Sequence, residues 1–160
     1  MKEIYLTIAG RIRQEIQELE KVVSRTKRIW KKAAAATDDF YIDATALNLH
    51  SFYAGLERLF EIIAERIDQT RPAGPSWHQE LLRQMVTGIP DVRPPVLTLE
   101  TRDRLDRYRG FRHVVRNVYT FNMDPEQIEL LVKQLQPTFD EVKRELSDFA
   151  EFLERLAKEK

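Results

Sequence analysis

Residues 39–68 read DFYIDATALNLHSFYAGLERLFEIIAERID, and this stretch decides the fold. Aromatic and aliphatic side chains from Phe40 to Ile63 crowd a helical wheel on nearly every side. A helix that is apolar almost all round is the central, most buried member of a bundle. Thr37, Asp38 and Asp39 offer N-caps for it, because a short side-chain oxygen can accept a bond from the first free backbone N–H groups. Gly55, near its middle, lets a neighbouring backbone come close.

The flanking segments are helical in a different way. Residues 3 to about 34 place Ile4, Ile8, Ile12, Ile16, Leu19, Val23 and Trp30 at steps of three, four or seven among charged and amide residues. That spacing predicts a long amphipathic helix with one apolar stripe. Arg71 to Pro75 is a loop by its Pro and Gly content. Ser76 with Gln79 predicts a capping box for a short helix over about residues 76–87. Pro90, Pro94 and Pro95 mark an irregular connection, and Thr98 is the expected cap of a fourth helix reaching about Phe121. Asp124, Pro125 and Gln127 start another, which Pro137 is expected to kink or restart. Beyond it Phe139, Val142, Leu146, Phe149, Leu153 and Leu156 alternate steps of three and four. That alternation suits shallow-angle packing, against the first helix or against another protomer. The fold class is therefore all-α, an up-and-down bundle of four to five helices in a single domain over residues 1–160.

Composition narrows the function. Hydrophobic residues make up 42% and charged residues 32% of the 160, a globular balance. Lys plus Arg and Asp plus Glu both number 26, so an anionic partner must be sought in local clusters rather than in net charge. The absence of cysteine excludes disulfides, thiolate metal sites and a cysteine nucleophile. The N-terminal segment lacks the apolar core of a signal peptide and no run is long enough to span a bilayer, so no membrane partner is expected and cytoplasm is the expected location. His50, His78 and His113 lie far apart, none with a Glu three residues before it; neither metal nor cofactor is expected. Glu57, Glu61 and Glu65 recur at steps of four, the pattern of a solvated or salt-bridged face. His50 is expected in or near the core.

Residues 102–116, RDRLDRYRGFRHVVR, stand apart because every cation there is arginine or histidine. Guanidinium forks match phosphate oxygens and keep their charge at any working pH. At helical pitch Arg112, Arg116 and Tyr119 fall on one face, with His113 and Asn117 one row over and Arg109 one turn before His113. Such a set can hold a phosphodiester and move protons beside it. The same residues also suit a salt-bridged surface with Asp103 and Asp106 as local partners.

The segment Phe111 to Tyr119 resembles the signature of the HEPN superfamily, in particular the HepT-like ribonuclease toxins: Arg, four residues, His, one residue, Tyr. Arg112 and Tyr119 take the Arg and Tyr places. YIDATALNLHSFYAGLERLFEIIA, PSWHQELLRQM and RPPVLTLETRDRLDRYRGFRH are similar to that group as well, in the same order along the chain. The resemblance covers about residues 4 to 157. It implies a homodimer whose signature helices meet to form one cleft for RNA, and a metal-independent endoribonuclease of a type VII toxin–antitoxin system. It further implies a cognate minimal nucleotidyltransferase antitoxin that AMPylates Tyr119. Arg112 would stabilise the phosphorane, with Arg109 and Arg116 holding phosphate. One position departs from the pattern: Asn117 stands in the His place, and an amide cannot exchange a proton at neutral pH. His113, separated from Arg107 by five intervening residues in the looser spacing of the superfamily, is the candidate substitute. The other outcome is a catalytically weak or inactive RNA- or nucleotide-binding partner subunit of a nucleotidyltransferase. A plain helical scaffold is the third.

Overall fold

A computed structural model of the chain describes residues 1–36, 39–119 and 122–159. It contains α1 (Lys2–Ala35), α2 (Phe40–Ile63), α3 (Trp77–Met85), α4 (Leu99–Asn117) and α5 (Pro125–Glu159). The four long helices pack as a ring, with α1 against α2 and α5, and α4 against the same two from the other side. The short α3 lies outside this ring, on α2 and α4. Among the described residues no strand forms, only an isolated bridge between Ile89 and Arg93. No described helix is long and apolar enough to cross a membrane.

The helix-forming pattern becomes packing directly. Ile8, Ile12, Ile16, Leu19 and Val23 of α1 are buried as one stripe. Phe139, Val142, Leu146, Phe149 and Leu153 of α5 are buried too, and α5 lies along α1. Of the two partners that this stripe allowed, the first helix of the same chain takes it. Truncating any one of these large side chains to alanine costs about 2–5 kcal/mol. At Gly55 a Cβ would sit 2.7 Å from Glu15 Oε1 and 3.0 Å from Leu19 Cδ2, so α1 and α2 meet this closely only because the side chain is absent.

The C-terminal end of α2 widens into a π turn, Ala64–Asp68, closed by Gln69 in the left-handed region. There Asp68 forms a bidentate pair with Arg93, at 2.6 and 2.7 Å. Arg93 also donates to the carbonyls of Gln84, Thr87 and Pro94. This bond set ties the proline-rich connection before α4 to α2 and α3. At the start of α4, Thr98 accepts from the Thr101 N–H. Glu145 of α5 accepts from the Thr98 N–H at 2.6 Å, where its charge also meets the positive end of the helix dipole.

Several local expectations are corrected. Thr37 and Asp38 lie outside the described residues, and Asp39 and Ser76 occupy N-cap positions without a capping side-chain bond. Pro137 sits inside an unbroken α5, so the helix does not restart there: packing on α1 outweighs the one ladder bond a proline removes. Helix α4 ends at Asn117 rather than near Phe121, which itself lies outside the described residues, and Val118 is extended. Val114, Val115 and Val118 are β-branched and poor helix formers. Asn117 turns its amide back onto the His113 carbonyl at 2.8 Å, a local bond that competes with helix continuation.

Candidate functional site

Leu105, Tyr108 and Phe111 anchor α4 to the core, and the Tyr108 hydroxyl donates to the Leu131 carbonyl of α5 at 2.7 Å. With that face fixed, helical pitch turns Arg109, Arg112, His113 and Arg116 towards α3. They line a cleft of ≈ 530 Å³ together with Asn117 of α4 and Pro75, Ser76, His78 and Gln79 from the start of α3. The expected phosphate-binding and proton-transfer residues thus come together in one place. Tyr119 does not share their helical face: it follows the end of α4 and is 76% exposed.

Beneath the cleft lies a charged cluster. Glu57 of α2 is 3% exposed, so of the two expectations for it the solvated one fails, while the salt-bridged one holds in a buried setting. Its Oε2 is 2.7 Å from His78 Nδ1 and its Oε1 is 3.6 Å from Arg112 Nη2. Arg112 Nη1 is 3.2 and 3.4 Å from the two ring nitrogens of His78. An atom nearly equidistant from both lies over the ring face, since in the ring plane it would collide with Cε1. Arg112 Nη1 therefore sits over the imidazole face, which leaves Nδ1 to Glu57. Arg112 Nε is buried without a hydrogen-bond partner among the described residues. Trp77 packs against His78 with ring centroids 3.6 Å apart, and Arg71 lies over Trp77. Glu61 and Glu65, one and two turns beyond Glu57, pair with Arg71, as a salt-bridged face requires.

The remaining arginines divide cleanly. Arg102 and Arg109 pair with Asp103 and Asp106, so the local-partner expectation holds for them, and Arg104 pairs with Glu100. Arg107 donates to Gln134 of α5 and is not among the residues that line the cleft with His113. Arg116 is exposed in the cleft wall with no ion pair among the described residues. Asn117 Nδ2 is 3.3 Å from His113 Nδ1.

His50 is half-buried on α2, two turns before Glu57. Burial, and then the charges of Arg112 and Arg116, hold its pKa below the ordinary 6.5. It sits in the field of the cleft without lining it. Sequence reasoning missed Glu57 and His78 as members of the site. Their contacts join segments 21 and 34 residues apart, a separation that no local spacing signals.

The model of a protein family described as HepT-like protein matches residues 44–153, well over half of the chain. No curated protein matches the chain, and no solved structure does. The matched span runs from α2 into the last part of α5 and includes every residue of the cleft, and the chain accordingly belongs to the HepT-like proteins of the HEPN superfamily.

Proposed function

We propose that this protein is a metal-independent endoribonuclease, the toxin of a type VII toxin–antitoxin pair, acting on RNA as a homodimer. HepT-like proteins are associated with toxin–antitoxin pairs, and the cleft adds the chemical support. One observation carries the reading: Arg109, Arg112 and Arg116 converge with two imidazoles on a single cleft. Cationic donors held in place around one cleft are what a phosphodiester gaining charge needs. In the proposed reaction the ribose 2′-oxygen attacks the adjacent phosphorus and leaves a cyclic phosphate, with Arg112 stabilising the phosphorane. Pairing of two α4 helices would place the arginines of both protomers around one RNA strand.

Silencing is proposed to act through Tyr119, by AMP transfer from a cognate minimal nucleotidyltransferase. Its exposure, just past the end of α4, suits access by a second enzyme, and an added phosphate would put bulk and negative charge beside the arginines.

The test is cleavage of single-stranded RNA by purified protein in EDTA. Arg112→Ala is expected to lower the rate by about 10²–10³-fold with the helical fold intact by circular dichroism. An unchanged rate in that variant removes the reading. Asn117 in the signature His place favours the second reading, a binding subunit without catalysis, which predicts salt-sensitive RNA binding with no cleavage in the same assay.

A further inference from the structure

We propose that His78 is the proton-transfer residue of this cleft, held for that task by Glu57, and that His113 is a phosphate-side hydrogen-bond donor. This rests on the ribonuclease reading above and assigns the base within it.

The two imidazoles that line the cleft are held in opposite tautomers. Glu57 Oε2 lies 2.7 Å from His78 Nδ1; a carboxylate can only accept, so the hydrogen of the neutral ring is on Nδ1 and the lone pair is on Nε2. Buried Glu57 also fixes the orientation of the ring, so that Nε2 and not Nδ1 is the free acceptor. His113 has the reverse arrangement. Asn117 Nδ2 donates to the His113 carbonyl at 2.8 Å, and that bond fixes which end of the amide faces the ring. The same nitrogen is 3.3 Å from His113 Nδ1, so Nδ1 accepts and the hydrogen of the neutral ring is on Nε2. A neutral N–H can hydrogen-bond a phosphate oxygen but is a poor proton acceptor. Asn117, which cannot transfer a proton itself, in this way sets the role of its neighbour.

The step balances with groups present in water. His78 Nε2 takes the proton of the ribose 2′-hydroxyl while the 2′-oxygen forms its bond to phosphorus. The bond from phosphorus to the 5′-oxygen breaks, and the departing oxygen takes a proton from water. His78 then returns its proton to the solvent. The products are a 2′,3′-cyclic phosphate and a free 5′-hydroxyl. Arg112, whose Nη1 lies over the His78 ring, is placed to meet the phosphoryl oxygens beside that base.

The test compares His78→Ala and His113→Ala on single-stranded RNA in EDTA. His78→Ala is expected to lower kcat by about 10²–10⁴-fold, to lose the acidic limb of the pH–rate profile, and to regain activity with added imidazole. Its affinity for a non-cleavable 2′-deoxy strand is expected to stay within about threefold of the parent. His113→Ala is expected to keep the acidic limb and to gain nothing from imidazole. If His78→Ala cuts at the parent rate while Arg112→Ala is inert, or if imidazole rescues only His113→Ala, the assignment to His78 is wrong and the ribonuclease reading stands. If the parent protein cuts nothing, both fall together.

Discussion

Helix α2 and its π turn each contribute a buried acid to an arginine from later in the chain, and the two pairs differ in completeness. Asp68 and Arg93 are fully enclosed, with side chains 1% and 0% exposed. Every N–H of Arg93 is matched: Nε and Nη2 meet the carboxylate, and Nη1 and Nη2 meet three backbone carbonyls. Nothing on that guanidinium remains for a ligand. Arg112 is also mostly buried, yet its Nη2 stands 3.6 Å from Glu57, its Nη1 lies over an imidazole, and its Nε has no partner among the described residues. A saturated buried ion pair holds structure, whereas the looser contacts of Arg112, which lines a cleft, leave its Nη groups less completely matched.

The comparison can be broken at either end. Asp68→Ala leaves a fully buried guanidinium without its counter-charge and is expected to cost about 3–5 kcal/mol of unfolding free energy, read by urea denaturation. Arg112→Ala is expected to cost only about 1–2 kcal/mol in the same measurement, because His78 still holds Glu57. Equal losses would mean that Arg112 is a second structural clamp. Glu57→Gln removes one negative charge from beneath the cleft and is expected to tighten RNA binding about fivefold at low ionic strength, with the gain fading as salt is added. Unaltered affinity would show that the strand lies elsewhere.

The smallest effect concerns His50. Its folded pKa lies below the ordinary 6.5, so on acidification the unfolded chain takes up the proton first. Its contribution to stability is therefore complete above the unfolded pKa and is lost as pH falls through the folded one. Arg116→Gln removes one of the charges that hold the pKa down, so the NMR titration of His50 is expected to move upward. A titration that does not move would place Arg116 away from that ring.

How legible the molecule was in its sequence depends on the range of each interaction. The stripe Ile8 to Val23 and the alternation Phe139 to Leu153 reappear as buried faces, because burial periodicity is a property of one helix and is written along it. The same holds for the Thr98 cap, made within one turn. Pro137 misled because a local rule was overridden by packing along α1. The end of α4 misled because the β-branched residues and the Asn117 amide stop the helix before Tyr119.

The sequence by itself determined an all-helical bundle, a concentration of arginine on one helix and membership in a family, since each of these is carried by residues near one another in the chain. The tertiary structure alone decided which arginines face a cleft, that Glu57 is buried rather than solvated, and that His78 joins Arg112. Those outcomes follow from bringing α2, α3 and α4 together. A carboxylate, an imidazole and a guanidinium set far apart in the chain acquire their chemistry only once packing excludes water between them.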